Sequence, residues 1–258
     1  MTAKHPYLSG PHPRAYAHRG WHLDDLAGME NSLAAFRRAA REGFRYLETD
    51  VHATSDGVVV VHHDDTLDRT TDGVGPVAAQ PWSAVRRAKV GGREPVARLQ
   101  DLLEELPDAL VNVDVKADGA VGPVIELLRR ADALHRVCLA SFSDRRLARL
   151  RALGGPRLIT SMGPRSAGAL WAAGRAMLPG LPVAGSIAQV PATRGRLVVV
   201  DRRFVRAAHR RGLEVHVWTV DDPARMRALL DLGVDGLVTD RPDLLRDVLR
   251  SRGSWAGG

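Results

Sequence analysis

Two segments of the chain have the alternating pattern of β-strands and carry acidic side chains on one face. Segment 46–52 contains Glu48 and Asp50, and segment 110–116 contains Asp114. Side chains at positions i and i+2 of a strand point to the same side, so each segment has one charged face and one mainly aliphatic face. Buried carboxylates need a compensating partner. A divalent cation that faces a phosphate group is one partner that suits all three carboxylates together.

Four further groups suited to phosphate chemistry stand near the ends of predicted strands: His18, Arg19, His63 and Lys116. Ligands that offer only oxygen favour Mg²⁺, Ca²⁺ or Mn²⁺ over zinc. Such a cation polarises a phosphoryl oxygen and lowers the pKa of a bound hydroxyl, while Arg19 and Lys116 hold the remaining phosphate charge. Two imidazoles on opposite sides of the phosphorus would serve as general base and general acid near neutral pH. The set predicts metal-assisted cleavage of a phosphodiester.

Each of these residues also has a simpler interpretation. A single histidine at a strand end is often a polar surface residue, and a carboxylate in a strand is often one half of an ion pair. Lys116 can pair with Asp114 or with Glu48. The catalytic interpretation therefore depends on a fold that brings all of these side chains to one place.

Short apolar runs alternate with amphipathic helical patterns along the chain, which predicts alternating strands and helices. The predicted strands are 14–18, 46–53, 58–62, 110–116, 137–142, 157–161, one within 184–190, a second candidate at 197–200, 213–220 and 236–239. The predicted helices are 33–40, 99–106, 122–131, 144–153, 165–177, 202–211, 223–232 and 243–251. Asp56-Gly57 between two strand patterns predicts a hairpin.

This alternation favours an α/β fold, a (β/α)8 barrel, over an open doubly wound sheet. A dinucleotide-binding fold is disfavoured because no Gly-x-Gly-x-x-Gly turn follows a strand. One domain is expected at 14–251, with an N-terminal extension at 1–13, an irregular insertion at 64–98 and a flexible tail at 252–258. In such a barrel the catalytic groups lie at the carboxyl ends of the strands.

Composition narrows the set of partners. The 258 residues carry a formal net charge of +7, and only three of the 37 basic residues are lysines. Nucleic-acid binding is disfavoured because aromatic residues make up 5% and no basic cluster is interleaved with them. The positive charge favours a small anionic substrate.

The remaining features bear on location. Cys138 is the single cysteine, which fits a reducing compartment. Segment 1–14 has no apolar stretch typical of a secretory signal, and no run approaches the length of a membrane span. A cytoplasmic protein without stable membrane insertion is expected, and the oligomeric state stays open.

Several motifs together resemble the glycerophosphodiester phosphodiesterase family, within the phospholipase C-like phosphodiesterase superfamily. The matching segments are 17–20 (AHRG), 30–33 (ENSL), 48–51 (ETDV), 56–64 (DGVVVVHHD), 67–71 (LDRTT), 215–220 (VHVWTV) and 236–242 (GLVTDRP). The similarity spans nearly the whole chain. It implies a (β/α)8 barrel that hydrolyses glycerophosphodiesters to sn-glycerol 3-phosphate and an alcohol.

The resemblance also implies roles for individual residues. It implies His18 and His63 as the acid–base pair, and Glu48 and Asp50 as ligands of one divalent cation, Mg²⁺ or Ca²⁺ with Mn²⁺ as a further option. The family usually carries its third ligand in an Asn-x-Glu-x-Lys context, and this chain has Asp114 there, one methylene shorter. Arg19 and Lys116 are expected to hold the phosphate, and Trp218 to pack against the glycerol carbons, although Trp218 can also be an ordinary barrel-core residue.

In the family pattern the glycerol 2-hydroxyl attacks phosphorus and gives a cyclic phosphate that water then opens. The insertion at 64–98 is expected to shape the choice of alcohol. The main alternative is a lysophospholipase D-like phosphodiesterase that acts on lysophospholipids. A second alternative, supported by the positive charge alone, is a barrel that binds an anionic ligand or nucleic acid without catalysis.

Overall fold

The computed structural model describes residues 5–176 and 182–256. Its strands, in chain order, are β1 (Arg14–His18), β2 (Tyr46–Ala53), β3 (Val59–Val61), β4 (Lys89–Val90), β5 (Glu94–Pro95), β6 (Leu110–Val115), β7 (Val137–Ala140), β8 (Ile159–Thr160), β9 (Ile187–Pro191), β10 (Thr193–Arg194), β11 (Leu197–Val198), β12 (Glu214–Trp218) and β13 (Gly236–Thr239).

The structure has helices between successive strands of the chain. They are α1 (Leu33–Arg41), α2 (Trp82–Val85), α3 (Leu99–Glu105), α4 (Val121–Arg130), α5 (Asp144–Gly154), α6 (Pro164–Ala176), α7 (Arg202–His209), α8 (Pro223–Leu232) and α9 (Pro242–Ser251). Short 3-10 turns cover Pro6–Ser9, Asp24–Leu26, Val77–Ala79 and Asp118–Ala120. The predicted helices agree with these bounds to within two residues, except that position 177, the end of predicted helix 165–177, lies outside the described residues.

Eight parallel strands form the barrel. Their spatial order is β8-β7-β6-β2-β1-β13-β12-β9, and β3 pairs antiparallel with β2 at one end. The two edges of this sheet meet through a parallel bridge between Ser161 and Ile187, so the barrel is nearly closed. The predicted (β/α)8 fold is confirmed, and with it the hairpin at Asp56-Gly57, where Gly57 has φ +81°.

Helix starts are set by short polar side chains. The Ser32 hydroxyl accepts a hydrogen bond from the Ala35 amide, and Asp201 and Asp222 cap α7 and α8 in the same way. Gly233 ends α8 in the left-handed conformation that favours glycine. These caps fix where each helix begins relative to the strand before it, and so fix the loops at the carboxyl ends of the strands.

The amino-terminal end of the barrel is filled by aromatic residues. The N-terminal segment contributes Tyr7, whose hydroxyl lies 3.0 Å from that of Tyr16, and Tyr46 donates to the Tyr7 carbonyl at 2.7 Å. A buried ion pair between Arg14 and Glu214, at 2.9 Å, closes the same region. Residues predicted as an extension therefore belong in part to the barrel core.

The C-terminal tail and the insertion also make packing contacts. In the predicted tail, the ring of Trp255 contacts that of Phe44 with centroids 5.0 Å apart. The insertion, predicted as irregular, contains α2 and the β4–β5 hairpin. Its apolar residues form one cluster with Val60 of β3 and Met29. The buried members of this cluster are Met29, Val60, Leu67, Val77, Val85, Ala88, Val90 and Val96. The second strand candidate, at 197–200, forms β11, which pairs with β10 in a hairpin outside the barrel.

Across the described residues, every helix is too short or too polar to cross a bilayer.

Candidate active site

All eight residues predicted to form the site line one cavity at the carboxyl ends of the strands. The cavity measures about 670 Å³. The predicted residues in its wall are His18, Arg19, Glu48, Asp50, His63, Asp114, Lys116 and Trp218. The fold brings together side chains that are up to 200 positions apart in sequence.

Strand register explains the convergence. His18 lies beside Glu48 where β1 pairs with β2, and Asp50 lies beside Asp114 where β2 pairs with β6. Neighbouring strands of a parallel barrel point equivalent positions to the same side. The alternation noticed in the sequence therefore becomes a ring of carboxylates at the barrel mouth.

Lys116 lies between two of these carboxylates. Its Nζ is 2.8 Å from Asp50 Oδ1 and 2.8 Å from Asp114 Oδ2. Burial alone would lower the pKa of Lys116, but the two carboxylates outweigh it and raise that pKa. The ion pair with Asp114 considered from sequence is thus present, and Asp50 shares it.

The ring is not arranged as a finished metal site. Among residues 5–176 and 182–256, no group of three histidine, cysteine or acidic side chains has the geometry to hold a metal ion. The ammonium group of Lys116 instead bridges Asp50 and Asp114.

Two carboxylate oxygens of this ring nevertheless form no hydrogen bond within the described part of the chain. Glu48 Oε2 and Asp114 Oδ1 are buried without a hydrogen-bond partner among the described residues. Burial, reinforced by the charges of Asp50 and Asp114, raises the pKa of Glu48 to about 8. Burial also raises the pKa of Asp114 despite the adjacent Lys116. The pocket is short of positive charge, so its donor set fits a divalent cation.

Arg19 is fixed on the other side of Asp50. Its backbone has φ +55°, its Nε lies 3.1 Å from Asp50 Oδ2, and its Nη1 donates to Glu30 Oε1 at 2.9 Å. Asn31 Nδ2 donates to Asp50 Oδ2 at 3.0 Å, and Asn31 Oδ1 accepts from the Thr49 hydroxyl at 2.8 Å. Burial would raise the pKa of Asp50, but Lys116 and Arg19 outweigh it and lower that pKa.

Each of the two histidines in the cavity wall, His18 and His63, is oriented by an aspartate. His18 Nδ1 lies 2.6 Å from Asp240 Oδ1, and His63 Nδ1 lies 2.6 Å from Asp64 Oδ1. An ionised carboxylate only accepts, so the proton is assigned to Nδ1 in both rings and Nε2 is left for chemistry. His18 Nε2 lies 3.7 Å from Glu48 Oε2. Burial disfavours the charged form of His18, yet Glu48 and Asp240 together raise its pKa.

Sequence reasoning assigned no role to these two aspartates, although both stand in matched motifs. Asp64 directly follows His63, and Asp240 follows β13, which pairs with β1 in the barrel. The signal for Asp240 was present in the order of strands, because the last strand of a closed barrel lies next to the first. Hydrogen-bond geometry itself requires coordinates.

A chain of ion pairs joins the insertion to the phosphate side of the site. Arg69 donates to Asp64 Oδ2 at 2.6 Å and to Glu30 Oε1 at 2.8 Å. Glu30 also binds Arg19, so the chain runs from His63 through Asp64, Arg69 and Glu30 to Arg19. Arg69 stands in the motif at 67–71, but the sequence alone indicates no role for it.

Trp218 ends β12 at the cavity, half-buried, and packs edge-on against Phe142 with ring centroids 5.4 Å apart. It therefore lies in the uppermost layer of the barrel. Lys116 Nζ is 5.9 Å from the centre of the Phe142 ring, so the aromatic pair adjoins the charged pocket. Phe142 was not predicted, because a single aromatic residue after a strand has no distinguishing pattern.

A (β/α)8 barrel that brings two histidine–aspartate pairs and three buried carboxylates to one cavity at the carboxyl ends of its strands has the architecture of a barrel enzyme. Comparison with known proteins makes the class specific. The model of the glycerophosphoryl diester phosphodiesterase family matches residues 14–244. The chain belongs to this family and is an enzyme of the phosphodiesterase class.

Individual relatives match this chain over almost its full length. The chain is 44% identical to probable glycerophosphodiester phosphodiesterase 2 of Mycobacterium tuberculosis, over 94% of this chain and 93% of the relative. It is 29% identical to a glycerophosphodiester phosphodiesterase of Caldanaerobacter subterraneus, over 92% and 98%. A crystal structure of a glycerophosphodiester phosphodiesterase from Agrobacterium tumefaciens superposes with a TM-score of 0.73 at 30% identity, covering 92% of this chain and 99% of that one.

Proposed function

We propose that the protein hydrolyses glycerophosphodiesters to sn-glycerol 3-phosphate and an alcohol, using one divalent cation and the two histidines. The observation that carries the proposal is the pair of imidazoles, each fixed at Nδ1 by an aspartate, in one cavity with the acidic pocket. Family membership and the 44% identical relative, whose name states this activity, support the same reaction.

Glu48, Asp50 and Asp114 are the residues that would hold the cation. The buried oxygens of Glu48 and Asp114 that lack hydrogen bonds supply the donors, and oxygen donors favour Mg²⁺ or Ca²⁺, with Mn²⁺ as a further option. When bound, the cation would lower the pKa of a substrate hydroxyl and polarise the phosphoryl oxygen. Since Lys116 already neutralises part of the negative charge of Asp50 and Asp114, the affinity for the cation is expected to depend most on Glu48.

Arg19 and Lys116 are the phosphate-binding residues in this proposal. Lys116 uses two of its three N–H donors on Asp50 and Asp114, which leaves one for a phosphate oxygen. The guanidinium of Arg19 is anchored by Glu30 and Asp50 and suits a planar contact with phosphate. Trp218 supplies an apolar face for the glycerol carbons.

The reaction is proposed to run in two steps. First, one histidine takes the proton of the glycerol 2-hydroxyl while the oxygen of that hydroxyl bonds to phosphorus. The other histidine protonates the oxygen of the leaving alcohol as the bond between that oxygen and phosphorus breaks. The alcohol departs, and a cyclic glycerol phosphate remains. The roles then reverse: water adds to phosphorus, the bond to the 2-oxygen breaks, and sn-glycerol 3-phosphate results.

The proposal is tested with metal-stripped protein and a panel of glycerophosphodiesters, with Mg²⁺, Ca²⁺ or Mn²⁺ added back. Release of sn-glycerol 3-phosphate should require a divalent cation and should disappear in His18→Gln and His63→Gln. Undiminished turnover in excess chelator would overturn the metal role. Salt-sensitive ligand binding without any hydrolysis would favour the non-catalytic alternative instead.

A further inference from the structure

The cavity has one charged side and one mainly apolar side. The charged side lies at the ends of β1, β2 and β6, where Glu48, Asp50 and Asp114 are. The opposite side is formed by the loops that follow β7, β8 and β9 and by one face of α6. On that side Arg194 is the only charged residue of the described chain that lines the cavity. It is therefore the one ionised group there that can pair with an anionic group of a ligand.

Arg194 differs from the other basic residues of the cavity wall in having no acidic partner. The others lie 2.6–2.9 Å from a carboxylate oxygen; they are His18, Arg19, His63 and Lys116. Within residues 5–176 and 182–256, the guanidinium of Arg194 forms neither an ion pair nor a hydrogen bond. All five of its N–H donors are available to a ligand, in the planar arrangement that suits a carboxylate or a phosphate.

The hairpin that carries Arg194 is fixed to the barrel. Arg194 ends β10 and pairs with Leu197 of β11. Trp171 Nε1 and Arg175 Nη2, both on α6, donate to the Val198 carbonyl at 3.1 and 3.2 Å. The backbone of the hairpin is therefore held in place at the cavity, while the side chain of Arg194 itself is exposed.

This hairpin, rather than the insertion, forms part of the cavity wall. Residues 64–98 are all described by the structure, and none of them lines the cavity. The hairpin contributes both Arg194 and Leu197 to the wall. A part of the substrate that projects from the cavity therefore passes the hairpin.

The proposed function gives the direction in which the substrate projects. The glycerol 2-hydroxyl attacks from the pocket of Glu48, Asp50 and Asp114, whose side chains are buried. In a displacement at phosphorus, the leaving oxygen lies roughly opposite the attacking oxygen. The alcohol therefore projects away from the buried carboxylates and towards the exposed mouth of the cavity, where Arg194 is.

We propose that Arg194 is a specificity-determining residue that binds an anionic group, a carboxylate or a phosphate, on the alcohol of the substrate. This inference rests on the proposed function, and it leaves the bonds made and broken in that reaction unchanged. It predicts that the enzyme favours diesters whose alcohol carries a negative charge over diesters of the same size whose alcohol carries none.

Two diesters that differ by a single carboxylate test this preference. They are sn-glycero-3-phosphoserine and sn-glycero-3-phosphoethanolamine, and both carry the same ammonium group. We expect kcat/KM for the serine diester to exceed that for the ethanolamine diester by about threefold or more, a modest factor because Arg194 is exposed to solvent. In Arg194→Gln the ratio of the two kcat/KM values should fall by about threefold or more. An unchanged ratio in this variant would overturn the proposal.

Arg196→Gln is the matched control. Arg196 is an exposed arginine of the same hairpin, two residues further along, but it does not line the cavity. Its removal lowers the net charge by the same amount and should leave the ratio at the parent value. Arg194→Lys, which keeps the charge, should retain part of the preference. An equal loss in Arg194→Gln and Arg196→Gln would show that only the overall positive charge of the protein acts, and would overturn the assignment.

A binding measurement keeps this inference separate from the proposed function. Calorimetric titration of the His18→Gln protein with each diester needs no turnover, and the same titration is made with Arg194→Gln added. Tighter binding of the serine diester that Arg194→Gln abolishes would support the anion-binding role even if the parent protein hydrolysed no diester. Equal affinities for the two diesters in both proteins would overturn that role even if both were good substrates.

Discussion

The charge of Glu48 is poorly compensated by the fold around it. Its side chain is buried beside Asp50 and Asp114, and the pKa of its carboxyl rises to about 8 from an ordinary value of 4.5. A group with a raised pKa in the folded state is easier to protonate there than in the unfolded chain. Its ionisation therefore destabilises the metal-free fold progressively as pH rises from about 4.5 through about 8.

Glu48→Gln should accordingly stabilise the metal-free protein while removing its response to cations. We expect the melting temperature in chelator to rise by about 5 °C at pH 8 and by less at pH 5. Added Mg²⁺ or Ca²⁺ should raise the melting temperature of the parent protein but not that of the variant. Glu126→Gln, at an exposed position, is the control. A lower melting temperature for Glu48→Gln at both pH values would count against the proposed role.

The two histidines should each be indispensable to turnover. Loss of one member of an acid–base pair typically costs about 10²–10⁴-fold in rate, so His18→Gln and His63→Gln should lower kcat by that range with little change in melting temperature. His22 provides a nearby control, because it also contacts Asp240, at 3.3 Å, but does not line the cavity. His22→Gln should lose less than about tenfold. Activity of either site variant within tenfold of the parent would remove that histidine from the mechanism.

The residues singled out from sequence meet in one cavity, but few of their partners could be predicted. Glu48, Asp50 and Asp114 can be recognised from sequence because a charged side chain in an apolar strand is costly to bury without a partner. The contacts of Asp240 with His18, and of Lys116 with Asp50, depend on which strands become neighbours and at what register. Those contacts follow from the closed barrel rather than from any local pattern.

At the scale of elements, the insertion is more ordered than its sequence indicated. Its strands β4 and β5 have two residues each and α2 has four, which is too short for a periodic pattern to be detected. The barrel strands and long helices were predicted because each repeats its pattern over several residues between clear turn signals. Tertiary packing, here the apolar cluster that the insertion forms with Val60 of β3, orders segments whose local propensity is weak.

Arg69 connects this insertion to both sides of the site. Loss of its side chain should release Asp64 and Glu30 together, so Arg69→Gln should lower kcat/KM by about tenfold. The melting temperature should change by less than about 2 °C, because the side chain is 49% exposed and surface ion pairs add little stability.

Arg145→Gln is the matched control for that variant. Arg145 forms a comparable pair with Asp118, at 2.6 Å, whereas Arg69 binds Asp64, the partner of His63, and Glu30, the partner of Arg19. Its kcat/KM should stay at the parent value. The same kinetic loss in both variants would show that the chain of ion pairs through Arg69 has no specific connection to the site.

At the scale of the whole molecule, the barrel separates a chemical end from a structural end. The carboxyl ends of the strands hold the charged pocket, whereas the opposite end is filled by Tyr7, Tyr16 and Tyr46 and by the fully buried His216. Burial lowers the pKa of His216, outweighing the nearby Glu214 and Asp235. This end contributes stability that depends on the neutral state of the imidazole.

The pH dependence of that contribution has a definite sign. The unfolded chain takes up a proton at His216 below about pH 6.5, and the folded protein does so only at lower pH, so the contribution is complete above that pH and is lost on acidification. The stability gap between the parent and His216→Gln should therefore shrink, by about 2–4 °C in melting temperature, between pH 7.5 and pH 5.5.

Other titrating groups are common to both proteins and cancel from this difference. His135→Gln, at an exposed position, should keep a constant gap to the parent across the same range. A gap for His216→Gln that stays equally constant would show that the imidazole is not held neutral by the barrel.

The most direct test of the whole account is a crystal structure with Mn²⁺ and sn-glycerol 3-phosphate, in which anomalous scattering locates the metal. The account predicts one strong anomalous peak with Glu48, Asp50 and Asp114 as protein ligands, and a phosphate that lies between His18 and His63. A peak elsewhere, or an empty pocket at a saturating concentration of Mn²⁺, would contradict it.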